Sequence, residues 1–422
     1  MAAAMEHPEH QALKVQVGGS RRYDLDWLRV LAFGVLIFFH SAVLFLPSSL
    51  PRIPNPDPSQ TLSVFVAFSH QFRLSLLFLV SGMGVRFALR NRTGRQYLSE
   101  RTKRLLIPLL FGIAVIVPPM VYLEKLYNDE FSGGFLQFYR VVFTEGVYPT
   151  GNLSWHHYWF IAYLFIFCLV TWPLFRRWLG RDAETLAQRT NWLLRGRRIY
   201  SVAAPIILIE WLLRPIFPGF HNLITDWANF THWLVIFIAG FAMAHDTRLL
   251  DRCRDLRFMS LTIGLIGSSI VFAQYYSLEH YGFHLKTDIT LPNAIAFIWF
   301  SIVRIIAEWA WILTCVGFAA RYLNRPSRAL TYLNGAVYPL FCLHLTTIVA
   351  LAYLVLPTDL PIGVKFLTLS FSTYAICFAL YEGVVRRIGV MGLLVGAKPM
   401  TAAPREDSQP GGDYKLPGSA NA

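Results

Sequence analysis

A histidine and an arginine in the first apolar stretch could carry out acid-base chemistry. On a helix, eleven steps of about 100° return Arg29 and His40 to one face, and eleven rises of about 1.5 Å separate them by roughly 16 Å. The imidazole of His40 suits proton removal from a hydroxyl near neutral pH. A pantetheine arm has a similar length, so a coenzyme A nucleotide held near Arg29 could present a thioester to His40. Equally, His40 could be a buried residue that bonds a neighbouring helix, with Asp26 and Arg29 as an interfacial ion pair.

Two further pairs of side chains could serve the same chemistry. His70 and Arg73 share one face of the second apolar stretch, where an ionisable group is costly unless it has a partner, a water-filled cavity or a function. Arg101 and Arg104 lie just before the third stretch, and their guanidinium groups suit the phosphates of a nucleotide. A role in membrane topology explains Arg101 and Arg104 equally well.

The other candidate residues each have a structural explanation beside the functional one. Ser81 precedes a glycine in a small-residue step that lets another helix approach closely. His157 and Trp159 belong to an aromatic run that is typical of the outer membrane interface. Further ionisable groups at membrane depth, whose partners the sequence does not identify, are His232, His344 and Glu382.

Helical ion pairs are predicted, whereas metal sites are not. A spacing of four residues predicts structural pairs between Glu210 and Arg214 and between Arg304 and Glu308. No two histidines or carboxylates have a metal-site spacing such as HExxH, so we predict no metal and no permanently bound cofactor. The five cysteines form no CxxC pattern and no disulfide framework.

The composition is that of a membrane protein. Of 422 residues, 55% are hydrophobic and only 15% are charged. The net charge of +13 is explained by basic cytoplasmic loops beside anionic lipid, so we predict membrane lipid and no nucleic acid as a partner. We predict an all-α polytopic integral membrane protein of about ten transmembrane helices. The spans lie near 25–46, 63–87, 104–123, 157–175, 199–216, 229–245, 258–277, 291–320, 332–356 and 361–386.

The distribution of Lys and Arg predicts the orientation of these spans. Basic residues are concentrated in the N-terminal segment and in alternate loops, whereas the intervening loops carry few. Both termini are therefore predicted to be cytoplasmic. Residues 1–24 form a cytoplasmic segment, 25–387 the transmembrane domain and 388–422 a cytoplasmic, partly disordered tail. The stretch 291–320 is long for one span and could be kinked or partly re-entrant.

Short motifs along nearly the whole chain resemble the acyltransferase 3 family of membrane O-acyltransferases. The most specific motif is the segment 25–29, Leu-Asp-Trp-Leu-Arg, followed by His40. The other motifs are the segments 78–82, 101–108, 157–160, 334–344 and 380–382. Two positions depart from the family pattern: Tyr158 stands where a leucine is frequent, and Leu345 where a polar residue or proline is usual.

The resemblance implies roles for residues of this chain. It implies that His40 is the catalytic base, or briefly carries the acyl group, and that Arg29, Arg101 and Arg104 hold the acyl donor. The supporting candidates are Asp26, His70, Arg73, Ser81, His157, Trp159, His344 and Glu382. A succinyl group would need a further cation for its free carboxylate. Candidates for that cation are Arg73, Arg214 and Arg304.

The resemblance also implies a reaction and a location. An enzyme of the bacterial inner membrane would move a succinyl or acetyl group from acyl-CoA to hydroxyls of a periplasmic or cell-surface glycan, or of a lipid-linked saccharide. Because an appended esterase-like domain is not expected, transfer onto the acceptor is expected either in the membrane unit itself or through a separate partner, for which a glycan-synthesis protein is the candidate. One rival interpretation is a transporter or flippase for a polar or lipid-linked glycan, in which the same buried charges line a path. Another is a membrane scaffold whose buried ion pairs serve assembly.

Overall fold

The protein is helical throughout the part that its computed structural model describes. That part comprises residues 22–47, 53–90, 92–148, 150–219, 221–280 and 291–397. Across these ranges the one β-bridge, between Val147 and Leu153, is isolated. The predicted all-α fold is therefore confirmed. The predictions for residues 1–21 and for most of the tail, 398–422, lie outside the described residues.

The described residues form sixteen α-helices, together with several π-helical and 3₁₀ turns. The helices are α1 (Tyr23–Val43), α2 (Gln60–His70), α3 (Arg73–Leu89), α4 (Gly94–Arg101), α5 (Ile107–Phe111), α6 (Val117–Tyr127), α7 (Phe135–Val141), α8 (Trp159–Leu179), α9 (Ala183–Leu194), α10 (Ala203–Leu213), α11 (Trp227–His245), α12 (Arg248–His280), α13 (Leu291–Tyr322), α14 (Arg328–Val355), α15 (Ile362–Leu380) and α16 (Gly389–Leu394). Wider π-helical turns are Thr102–Leu106, Gly112–Ile116 and Tyr381–Val385. Tighter 3₁₀ turns are His156–Tyr158 and Arg198–Val202.

Nine helical stretches within the described ranges are long and apolar enough to cross a membrane, so the chain is a multi-pass membrane protein. They correspond to nine of the ten predicted spans. The exception is 199–216, where a five-residue 3₁₀ turn leads into the eleven-residue α10. At 1.5 Å per residue, α10 covers roughly 16 Å, about half of the hydrocarbon thickness. The sides of the membrane that the two termini face stay a prediction.

The predicted span at 291–320 is one continuous helix. The 32 residues of α13 contain no re-entrant turn, and the helix packs along the equally long α12. A helix of this length exceeds the hydrocarbon thickness and can tilt or extend beyond it. The side chains of Arg304 and Glu308 therefore project from an uninterrupted helix, one turn apart.

The third span, from α4 to α6, is interrupted by prolines. Pro118 has no backbone N–H, so the carbonyl of Ala114 has no partner within the helix. The hydroxyl of Tyr139 donates to that carbonyl at 2.9 Å, and the hydroxyl of Thr346 on α14 donates to the carbonyl of Ile116 at 2.7 Å. The bond from Tyr139 satisfies a backbone group that would otherwise be costly in a bilayer. It ties this span to α7, and the bond from Thr346 ties the span to α14.

The small-residue step at Ser81 brings α3 against α11. A Cβ atom added to Gly82 would overlap the carbonyl oxygen of Phe237, and one added to Gly240 would overlap the carbonyl oxygen of Leu79. Each glycine thus faces the backbone of the other helix, as the close-packing explanation requires. The hydroxyl of Ser81 donates to the carbonyl of Leu77 in its own helix, at 2.7 Å.

Candidate functional site

Two helices that are distant in sequence, α1 and α14, hold both ends of the candidate site. At one end, Arg29 Nη1 donates to Asn334 Oδ1 at 3.2 Å. At the other end, the ring of His40 lies 5.2 Å from the ring of His344, centroid to centroid. Residue numbers increase together along the two helices, so α1 and α14 run in the same direction. Arg29 and His40 thus share one face of α1, which is turned towards α14.

The arginine end of the site is a cluster of cations with too few carboxylates to neutralise it. Arg29 Nη1 lies 3.5 Å from Asp26 Oδ1. Arg101 and Arg104 each approach Glu100, at 3.6 and 3.5 Å. The charges of Arg101 and Arg104 also act on Arg29, so the structure brings all three arginines together. Three guanidinium groups against two carboxylates leave the cluster suited to an anionic ligand.

A cavity of about 480 Å³ adjoins this cluster. Its lining includes Lys103 and Arg104 beside the carboxylate of Glu100, and also Arg386, which is paired with Glu382, so the cavity is basic. Residues 389–397 close one side of it. These residues fall in the predicted tail, but α16 packs onto the helical body and buries Val395. The ordered body therefore continues past residue 387, and the cavity could accept a phosphate-bearing group.

Three histidines meet at the other end of the site. The ring of His344 lies 5.2 Å from that of His40 and 5.0 Å from that of His157. His157 is buried, with Nε2 3.2 Å from the backbone carbonyl of Cys342. An outer aromatic belt would place His157 at the lipid interface, but the structure places it inside the bundle. Three candidates from three distant segments thus form one cluster.

Arg73 lies against Phe39, the residue that precedes His40 in the chain. Its guanidinium carbon is 3.4 Å from the centroid of the Phe39 ring, and His70 stacks on that ring at 6.0 Å. Arg73 is 4% exposed, and its Nε and Nη1 have no hydrogen-bond partner in the structure. A buried guanidinium without a carboxylate partner lowers the stability of the fold, and an anion bound by this side chain would relieve that loss.

Two of the supporting candidates lie away from these clusters. Glu382 is exposed and pairs with Arg386 at 2.7 Å. Trp159 stacks on His221 at 4.4 Å and on Trp233 at 5.1 Å. His221, which is not among the predicted site residues, lies in a loop with a positive φ of 52°. Pro218 and Gly219, shortly before it, signal a turn but not a stacking partner.

Burial lowers the pKa of His221, which lies outside the membrane-spanning helices; Asp226 opposes this effect and Arg214 adds to it. The imidazole is therefore held in its neutral form in the folded protein. A neutral ring packs against the face of Trp159 without the desolvation cost of a charge. Acidification should weaken this packing.

The predicted ion pairs belong to one buried network that includes His232. Its Nδ1 lies 3.0 Å from Glu210 and its Nε2 2.9 Å from Glu308. Arg214 contacts Glu210 at 2.8 Å, as predicted, whereas Arg304 lies closer to Glu210, at 2.7 Å, than to its helical neighbour Glu308, at 3.9 Å. Carboxylates neutralise both arginines, so the network holds α10, α11 and α13 together.

No three His, Cys, Asp or Glu side chains in the described ranges form a group that could hold a metal ion. The side chains that the site does bring together are imidazoles and guanidiniums. An imidazole can take or give a proton near neutral pH, and guanidiniums bind phosphates and carboxylates.

The chain is similar to a known family and to several known proteins. The sequence model of the acyltransferase domain (acyltransferase 3 family) matches residues 22–382. "Glucans biosynthesis protein C" of Salmonella schwarzengrund is 22% identical over 395 residues, which cover 91% of this chain and 96% of the relative. The proteins of the same name from Salmonella paratyphi A and Salmonella agona are each 22% identical over 340 residues, 78% of this chain and 82% of the relative. No solved structure matches the chain.

Proposed function

The chain belongs to the acyltransferase 3 family and is a membrane acyltransferase, and on that premise we propose that it moves an acyl group from acyl-CoA to a hydroxyl of a periplasmic or cell-surface glycan. The observation that carries the proposal is the shared face of α1, with the arginine cluster at one end and His40 beside His344 at the other. The relatives named for glucan biosynthesis support a glycan acceptor. We place the enzyme in the bacterial inner membrane.

Acyl-CoA, the donor, binds at the arginine end. Arg29, Arg101 and Arg104 hold its phosphates, and the basic cavity of about 480 Å³ receives the nucleotide. From Arg29 the pantetheine arm follows α1 over roughly 16 Å to His40. The donor thus enters from the cytoplasmic side while the acceptor approaches from the opposite side.

His40 performs the proton transfer. Its imidazole takes the proton of the acceptor hydroxyl as the oxygen attacks the thioester carbonyl. The tetrahedral intermediate then collapses, the carbon–sulfur bond breaks, and the coenzyme A thiolate takes up the proton from the imidazolium. In a two-step variant the acyl group is first carried on His40 and then passed to the hydroxyl. Both routes yield an ester and a free thiol.

The surroundings of Arg73 favour succinyl over acetyl as the acyl group. Of the three candidate cations, Arg214 and Arg304 are both within 3 Å of a Glu210 oxygen, at 2.8 and 2.7 Å. Arg73 has no carboxylate partner among the described residues and lies against Phe39, next to His40. Its Nε and Nη1 would bind the free carboxylate of a succinyl group, which acetyl lacks.

The test is transfer of labelled acyl groups from succinyl-CoA and acetyl-CoA to glucan oligosaccharides by the full-length protein in lipid nanodiscs. We expect His40→Ala to lower transfer by roughly 100-fold or more, since general acid-base catalysis contributes that much. His245→Ala is the matched control, because His245 is also buried but pairs with Arg86, away from the site. Wild-type transfer rates in His40→Ala would contradict the proposal. Uptake of saccharide by sealed proteoliposomes of the same protein, without acylation, would favour a transporter.

A further inference from the structure

One nitrogen of His344 is a buried hydrogen-bond acceptor that nothing in the structure satisfies. The side chain of His344 is 0% exposed, and its Nδ1 lies 2.7 Å from the carbonyl oxygen of Phe341. A carbonyl oxygen only accepts, so Nδ1 carries the hydrogen and Nε2 is left with a lone pair. Nε2 has no hydrogen-bond partner among the described residues.

An unsatisfied buried acceptor is rare and costly, which points to a ligand that donates a hydrogen. His344 also borders a cleft of about 380 Å³ between α1, α14 and α15, but that cleft is lined mainly by apolar side chains, so a hydroxyl-bearing ligand is expected on the side of the ring that faces His40. His40 is near enough to be an alternative donor, with ring centroids 5.2 Å apart, yet no bond to Nε2 is formed. The missing donor is therefore best supplied from outside the chain.

We propose that His344 Nε2 accepts a hydrogen bond from a second hydroxyl of the acceptor, adjacent to the hydroxyl that His40 deprotonates. This inference rests on the proposed function and names the acceptor class: a saccharide with two neighbouring hydroxyls. A hydroxyl has a single proton to donate. If His40 takes the proton of one hydroxyl, the lone pair of His344 Nε2 therefore needs a different hydroxyl as its donor. His344 is thus a specificity residue, because an acceptor without the second hydroxyl leaves Nε2 unpaired.

The experiment combines a protein variant with a substrate variant. Wild-type protein and His344→Phe, both in nanodiscs, are assayed with succinyl-CoA and with methyl glucoside or its four monodeoxy analogues. We expect one analogue to abolish transfer, because it lacks the attacked hydroxyl. We expect a second analogue to lower wild-type kcat/KM by roughly 10- to 100-fold, as for other sites that hydrogen-bond a substrate hydroxyl.

On methyl glucoside, kcat/KM of His344→Phe should be lower than that of the wild type by a similar factor. On the second analogue, kcat/KM of this variant should fall no further. Its hydrolysis of succinyl-CoA without acceptor, a reaction that needs no second sugar hydroxyl, should fall by a smaller factor than its transfer. Thr347→Val is the control on α14, since its hydroxyl bonds the carbonyl of Leu343 in its own helix.

Two results overturn the inference. One is that kcat/KM of His344→Phe falls from methyl glucoside to the second analogue by as large a factor as kcat/KM of the wild type does. The other is an equal fall in hydrolysis and transfer, which would mean that His344 orients His40 instead. Wild-type protein that acylates neither the glucosides nor glucan oligosaccharides contradicts the proposed function, so the two failures are distinguishable.

Discussion

The guanidinium of Arg73, on α3, lies over the ring of Phe39, on α1, with 3.4 Å between the guanidinium carbon and the ring centroid. Phe39 precedes His40 in the sequence, so this contact holds a buried cation against the neighbour of the proposed catalytic base. It holds the planar group by a cation–π interaction while leaving Nε and Nη1 without hydrogen-bond partners. The free carboxylate of a succinyl group would supply hydrogen-bond acceptors for these two nitrogens.

Replacing Arg73 should change the choice of donor. We expect Arg73→Met to lower transfer from succinyl-CoA by roughly 10- to 100-fold, because charge-assisted hydrogen bonds to the free carboxylate are lost. Transfer from acetyl-CoA should change far less. Arg73→Lys should retain part of the preference, since it keeps the charge but not the planar fork. Equal losses with both donors would argue against a carboxylate site at Arg73.

Replacing an arginine of the cationic cluster should weaken donor binding rather than the chemical step. We expect Arg104→Ala to raise the KM for acyl-CoA by roughly 5- to 50-fold with a smaller effect on kcat, as for loss of a phosphate contact. A higher salt concentration should narrow the difference in KM between Arg104→Ala and the wild type, because salt screens exposed charges. The control is Arg195→Ala, whose side chain is exposed beyond α9. An unchanged KM in Arg104→Ala would place the donor elsewhere.

The contact between α3 and α11 should not tolerate a methyl group. Gly82→Ala and Gly240→Ala each bring a Cβ atom into the backbone carbonyl of the other helix, so we expect a marked loss of folded protein. Detergent-solubilised variants can be compared by size exclusion after graded heating. Gly363→Ala, with nothing within 4 Å of the added Cβ, is the matched control. A stable Gly82→Ala protein would show that the helices can separate.

The stack of Trp159 and His221 should weaken in acid. Burial lowers the pKa of His221 below its ordinary value of 6.5, so the unfolded chain binds a proton more readily than the folded one. The resulting stability is present above pH 6.5 and is lost as the pH falls through the lower, folded-state value. Melting temperatures between pH 7.5 and pH 5 check this expectation. His221→Phe should flatten the acid side of the profile, and an unchanged profile would contradict the explanation.

Much of the membrane architecture could be predicted because the signal is local. Each apolar stretch must satisfy its own backbone within a helix, so hydropathy and length identified nine of the helices that the structure contains. The fifth predicted stretch is the exception. Its apolar residues form the short α10, whose Glu210 is held by His232 and Arg304 from neighbouring helices. Such a network joins residues of different helices, whereas hydropathy is averaged over a single continuous segment.

The sequence by itself determined that Arg29 and His40 share a helix face, because helical periodicity relates residues of one continuous segment. It also supplied the motifs of the acyltransferase 3 family. Only the tertiary structure decided that Asn334 meets Arg29 across 305 positions of chain and that His344 lies beside His40. It alone decided that Arg214 and Arg304 are neutralised while Arg73 is not. The physical reason is that pairing and burial of a charge depend on which helices pack together, and packing joins surfaces that are distant in sequence.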